Sequence, residues 1–252
     1  MQSQSSQIVS GIYPIHKERG ETLAVLLERF RREYSIGDDI KLTYAGRLDP
    51  MAEGIVLVLA GESRFEKDAL LGLPKTYEVD VILGIATDTQ DTLGFITATA
   101  DKEIDEASVR TVLDAMQSIV SLPYPLYSSV PVAGKPLFVH ARAGTPVVVP
   151  IKKVTIHSTV LVSITKERLA DVAASVIVDI QKVVGDFRQE ATITQWREFV
   201  TSDKDVVVVR VRIDASSGTY MRSLAAWMGQ ELGVPALAYR IKRIRIGEYT
   251  NK

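Results

Sequence analysis

The amino-acid sequence predicts an α+β fold, a mixed and largely antiparallel sheet with flanking helices. Segments with apolar residues at helical spacing and segments that read as strands are interspersed, without the regular βαβ rhythm of a doubly wound sheet. After Gly20, Leu23, Leu26, Leu27 and Phe30 share one helical face. A second helix is expected after Asp105, aligning Val109, Val112, Leu113, Met116 and Val120. A third is predicted over residues 166–187, carrying Leu169, Val172, Val176, Ile180 and Val183, and a fourth from Thr219, carrying Leu224, Trp227, Met228 and Leu232. Strands are expected over residues 55–59, 76–83, 147–157 and 206–213. The last alternates well, with Val207, Val209, Val211 and Ile213 on one face and Arg210 and Arg212 on the other.

With 252 residues, 46% of them apolar, the chain has ample material for a core. It shows no internal repeat, low-complexity tract or Gly/Ser-rich linker, so residues 1–252 are expected to form one domain. No apolar run reaches the length of a membrane span, and the opening MQSQSSQIVS lacks the charged-then-apolar order of a signal peptide. The absence of cysteine excludes disulfides, thiolate metal sites and cysteine nucleophiles, and suits a reducing, cytoplasmic setting. Lys plus Arg number 30 against 31 for Asp plus Glu, a balance that leans against indiscriminate coating of nucleic acid. Two basic clusters remain: Arg29, Arg31 and Arg32, and Arg240, Lys242, Arg243 and Arg245. Each reads either as a solvated face or as a local anion-binding surface.

His16, His140 and His157 lack metal-ligand spacing, and no P-loop, GxGxxG, GxSxG or HExxH pattern occurs. No metal and no small-molecule cofactor is therefore expected, which leaves carboxylates, hydroxyls and guanidinium groups to carry any chemistry. Three segments concentrate them. In Gly46-Arg47-Leu48-Asp49-Pro50, followed by Gly54, Asp49 reads as the N-cap of a short helical turn with Pro50 in its first position and Gly54 ending it. The same Asp at the head of a turn can equally present its carboxylate into a cleft. In Lys75-Thr76-Tyr77, Tyr77 reads as a strand aromatic packed on the core. In Ser216-Ser217-Gly218-Thr219-Tyr220-Met221-Arg222, a serine-capped helix start places Arg222 in the first turn, against the helix dipole, where it asks for a carboxylate partner.

Taken together and in order, these segments resemble the TruB family of tRNA pseudouridine synthases along nearly the whole chain. The stretches Lys17-Glu18-Arg19-Gly20-Glu21-Thr22, Tyr127-Ser128 and Ala141-Arg142-Ala143-Gly144 add to the likeness. The resemblance implies a pseudouridine synthase catalytic-domain fold and an isomerase that converts the T-loop uridine at tRNA position 55 to pseudouridine without a cofactor. It implies Asp49 as the catalytic carboxylate, Tyr77 as the active-site tyrosine and Arg222 as the partner of Asp49. Tyr220, Ile241, Tyr44, Arg47 and Lys17 are the expected substrate-binding residues, and the T-arm of tRNA the expected partner. Three positions depart from the pattern: Tyr44 stands where a histidine is usual, Glu18 follows Lys17 where a proline is usual, and little chain follows Gly247-Glu248-Tyr249, so no separate C-terminal RNA-binding (PUA) domain is expected. These departures leave open a different RNA target, or a tRNA-folding chaperone without turnover.

Overall fold

The computed structural model describes residues 10–200 and 204–250; residues 1–9, on which the leader-peptide reading rests, lie outside the described residues. In chain order the elements are β1 (Gly11–Lys17), α1 (Leu23–Glu33), β2 (Leu42–Ala45), β3 (Ala52–Ala60), α2 (Lys67–Leu71), β4 (Lys75–Leu83), β5 (Ile85–Thr87) and β6 (Ile96–Thr99). There follow α3 (Glu106–Met116), β7 (Ser121–Pro123), β8 (Pro131–Val132), β9 (Lys135–Pro136), α4 (Leu137–Arg142), β10 (Ile151–Lys153) and β11 (Ile156–Arg168). The chain continues through α5 (Leu169–Gln181), α6 (Gln189–Phe199), β12 (Asp205–Ala215), α7 (Met221–Leu232), β13 (Ala236–Ile246) and β14 (Tyr249–Thr250). No helix among the described residues is long and apolar enough to cross a membrane.

The main sheet runs β1-β3-β13-β4-β12-β11, with β2 added to β3 and β14 to β13. Only the β3–β13 pairing is parallel, so the sheet is mixed and largely antiparallel, as the sequence predicts. The alternation expected in β12 is visible as burial: Val209, Val211 and Ile213 are buried on one face. On the other, Arg210 and Arg212 pair across to Asp80 and Glu78 of β4, their register partners. Helices α1, α3 and α7 cover one face through Phe30, Leu113 and Leu224. Side-chain caps set two of their starts: Thr22 accepts from the Val25 amide at 3.4 Å and Asp105 from the Ser108 amide at 2.7 Å. Helices α5 and α6 build a separate core with Ile82, Leu237 and the fully buried Trp196, whose indole donates to the Thr92 carbonyl at 3.2 Å.

Several sequence expectations need correction. The predicted third helix is shorter at both ends, because Lys166, Glu167 and Arg168 are paired to β12 as the end of a thirteen-residue strand. Its apolar stripe is nevertheless the buried one. The strand expected over 147–157 is interrupted, with only Ile151–Lys153 paired before β11 begins at Ile156. Val120 is exposed beyond the end of α3, where the helical period no longer applies. Helix α6 and the central strand β13 were not foreseen.

Gly54 does not terminate a helical turn; it lies inside β3 at φ +109°, opposite Arg243 in the parallel ladder. A β-carbon there would collide with the Arg243 carbonyl, so the close approach of β3 and β13 requires glycine. Gly54→Ala is expected to lower unfolding stability by about 2–4 kcal/mol through overpacking and φ strain, read as a shift in urea midpoint.

Candidate active site

Asp49 heads a tight turn in which the Ala52 amide donates to the Asp49 carbonyl at 3.0 Å, immediately before β3. Its carboxylate does not cap a helix. It accepts instead from Arg222 Nε at 2.8 Å. Arg222 sits in the first turn of α7 and is almost wholly buried. Its other nitrogens are engaged by backbone: Nη1 donates to the Thr89 carbonyl at 2.8 Å and Nη2 to the Tyr127 carbonyl at 3.2 Å. The guanidinium therefore gives Asp49 one donor rather than a two-pronged fork, and is itself held by two other segments. The Ser216 hydroxyl does not cap α7; it accepts from the Thr155 amide at 2.9 Å, while Tyr220 occupies the cap position.

A second carboxylate, Asp91, lies 3.6 Å from Arg222 Nε. Burial pushes its carboxyl up, opposed by Arg222 and by the hydrogen bond from the Thr89 hydroxyl. Burial also works against the Arg222 cation, but Asp49 and Asp91 outweigh it and raise its pKa. Sequence reasoning missed Asp91. An acidic residue two positions past Thr89 gives no signal until the β5–β6 turn folds against α7.

Two adjoining cavities, of about 190 and 500 Å³, meet at Arg47, Leu48, Asp49, Tyr220 and Arg222. The smaller brings together Asp49, Tyr77 and Arg222 with Ile241, Tyr220 and Arg47, although these residues come from four separate parts of the chain. Tyr77 projects from β4 and Ile241 from β13, adjacent strands of the sheet. Tyr220 stacks edge-on against Tyr124, ring centroids 5.5 Å apart, and burial followed by the Asp49 charge raises its phenol pKa. Tyr44 lines only the larger cavity, and its ring lies 5.8 Å from the Lys67 ammonium.

Lys17 is the expected site residue that lies apart from the others. It is fully buried, lines neither cavity, and directs Nζ at the carbonyls of Glu18 (2.9 Å), Pro50 (3.2 Å) and Ala52 (2.6 Å). Burial lowers its pKa to about 8, so it remains a cation at neutral pH with all three protons engaged. Arg243, expected on a basic surface, is likewise buried and donates to Gly46, Arg47 and Ile55 carbonyls. Arg29 is tied to Glu21 and Glu33, and Arg240 to Ser175 and Tyr239, so much of the two basic clusters serves internal contacts. Among the described residues no group of three or more His, Asp or Glu is placed to hold a metal ion.

The fold is shared with solved structures of two complexes named by their components. The crystal structure of a Cbf5-Nop10-Gar1 complex superposes with a TM-score of 0.59 at 16% identity, covering 96% of this chain and 50% of that one. A structure of an H/ACA RNP bound to a substrate RNA containing 2'-deoxyuridine gives 0.53 at 15% identity, covering 96% and 49%. Residues 31–184 match the family described as TruB family pseudouridylate synthase (N terminal domain), and the chain belongs to that family. It is 32% identical over 243 residues to the tRNA pseudouridine synthase B of Aromatoleum aromaticum, covering 96% of this chain and 65% of that protein. It is 30% identical over 244 residues to that of Thermobifida fusca, covering 96% and 71%. A further tRNA pseudouridine synthase B, from Geobacillus thermodenitrificans, is 31% identical with 64% of its length covered, so the chain spans about two thirds of these relatives.

Replacing Lys17 by Met keeps the side-chain volume but removes the ammonium donor from the Pro50 and Ala52 carbonyls of the Asp49 segment and from that of Glu18, leaving Pro50 only the Gly20 amide. A loss of about 2–4 kcal/mol in denaturant unfolding is expected, since unpaired buried acceptors cost more than a hydrogen bond returns. Unchanged stability would mean that water or a rearranged loop replaces the ammonium.

Proposed function

We propose that this chain isomerises uridine to pseudouridine in tRNA, at the T-loop, with Asp49 as the catalytic carboxylate. The observation that carries this reading is the meeting of Asp49, Arg222, Tyr77 and Ile241 at one small cavity. Family membership supports the reaction and the RNA substrate. In the reaction the bond from C1′ to N1 breaks, the uracil turns, a bond from C1′ to C5 forms, the C5 proton is lost and N1 takes up a proton, so that the product is an isomer of the substrate. An ionised carboxylate serves this either as nucleophile or as a base for a sugar proton while positive charge develops at C1′. Arg222 orients the carboxylate and stabilises its charge. Tyr77 and Ile241 offer the two apolar surfaces between which a pyrimidine can be held during its rotation.

The target nucleotide must leave its stack to enter a cavity of this size, which a loop position does at lower cost than a duplex. Tyr44, on the larger cavity, takes the place for handling that nucleotide or its phosphate; its phenol can both donate a hydrogen bond and stack. Arg47, exposed where the two cavities meet, is the nearest phosphate partner. All the strands that carry the site belong to the main sheet, which supports treating it as one catalytic unit.

Asp49→Asn is the direct test. It preserves shape and most hydrogen bonding but removes the charge, so pseudouridine formation in a T-arm RNA should fall by roughly 10³-fold or more. Binding of the same RNA, governed by phosphate contacts and stacking elsewhere, should change little. Turnover at the wild-type rate by this variant would remove the proposal.

A further inference from the structure

We infer that the connection between α5 and α6 forms one wall of a second base-binding subsite, in which Phe187 contacts the nucleobase next to the reacting uridine. The inference rests on the function proposed above and concerns a part of the chain that the chemistry itself does not use.

The argument begins with space. Tyr77 and Ile241 line only the cavity of about 190 Å³, whereas the cavity of about 500 Å³ opens from it across Asp49 and Tyr220. A pyrimidine held against Tyr77 therefore leaves the larger cavity to the strand that continues from it. The far wall of that cavity is aromatic, made by Tyr127, Phe138 and Phe187, and Arg142 stands beside it. Flat apolar walls with cations at the side are the chemistry that receives an unstacked base and its phosphate.

The wall is built rather than incidental. Strands β11 and β12 are antiparallel neighbours, a pairing that a short turn can join, yet two helices intervene and their connection brings Asp186, Phe187 and Arg188 to the cleft. Gln189 holds that tip by accepting from the Phe187 amide at 2.9 Å and donating to the Val183 and Gly185 carbonyls at 3.0 and 2.6 Å. Arg188, at φ +62°, bonds both oxygens of Asp88 at 2.8 and 3.2 Å. Its guanidinium lies 4.3 Å from the Phe95 ring centroid and 4.6 Å from that of Tyr127. Tyr127 is the residue whose carbonyl receives Arg222, so the tip is keyed to the catalytic pair. From the opposite side Arg142 of α4 donates to the Asp186 carbonyl at 2.6 Å and its carboxylate at 3.2 Å, bridging the two walls. Such fixed geometry suits a recognition surface; a connection serving only to join two helices needs none of it.

The test measures the affinity of the full chain for a T-arm stem-loop RNA carrying an abasic site at each of the two nucleotides on either side of the target uridine. Wild-type protein should lose roughly 10-fold in Kd at one of these positions, the loss expected for one stacked base. Phe187→Leu keeps an apolar residue in the local core but removes the ring. For this variant the same abasic site should cost under about 2-fold, and Phe187→Trp should restore the wild-type pattern. If no abasic position weakens the wild type, or if Phe187→Leu weakens every RNA equally, the inference fails. Pseudouridine formation, assayed separately, distinguishes the two proposals. Coupling without turnover would retain the subsite and reject the reaction; turnover without coupling would do the reverse.

Discussion

The site depends on where two buried cations send their protons. Lys17 from β1 and Arg243 from β13 between them satisfy the carbonyls of Gly46, Arg47, Pro50, Ala52 and Ile55, the backbone on either side of Asp49. Buried carbonyls need donors, and these two cations supply them, the Pro50 carbonyl taking the Gly20 amide as well. Among the described residues neither cation touches a carboxylate directly; carbonyl dipoles hold both, and the charges of Glu21 and Asp49 act on Lys17 from farther off. The result is a loop whose main chain is tied to both sides of the sheet. The Asp49 side chain is left as its free functional end.

Around that loop the charges are nested. Arg222 sits between Asp49, which is partly open to the cavities, and Asp91, which is buried. One guanidinium serving two carboxylates of unequal exposure keeps the cation fixed whichever state the open carboxylate reaches. Lys75 repeats the pattern used by Lys17. It is buried, lowered to about 8 by desolvation, and bonded to Leu71, Leu73 and Ser217 at 2.9, 2.5 and 3.2 Å. It thereby ties the turn before α7 to the start of β4. Both lysines spend their protons on carbonyls and a hydroxyl of the segments they tie together, although Lys75 also borders the smaller cavity.

Much of this was legible in the sequence, and the boundary of legibility has a physical meaning. Period-3.6 spacing located α1, α3 and α7 and alternation located β12, because each has one buried face, whereas β3 and β4 read as strand-like runs and are buried on both faces. Strand β13 escaped because its Arg240, Lys242, Arg243 and Arg245 mask the apolar residues between them, and Arg243 points inward onto carbonyls rather than outward to solvent. The same reading made Arg243 a surface residue. A charged side chain that is satisfied by backbone carries no sequence mark of its burial. Asp49, Tyr77 and Arg222 were found because they stand in motifs, whereas Asp91 and Phe187 owe their places at the site to tertiary structure alone.

The placement of β13 has a consequence for how the molecule comes into being. It inserts between β3 and β4, strands that precede it by more than 150 residues, and it is the parallel partner of one and the antiparallel partner of the other. Until it arrives, β3 and β4 face each other across an open slot, the Gly46–Arg47 carbonyls lack Arg243, and Ile241 is absent from the pocket. Local pairings such as β1 with β3 and β11 with β12 can form early, but closing this slot requires the longest-range contacts in the sheet and is the slow step in entropy terms. A chain emerging from the ribosome therefore holds most of its secondary structure well before it holds a competent cleft, and the reactive geometry appears all at once, with the last long strand.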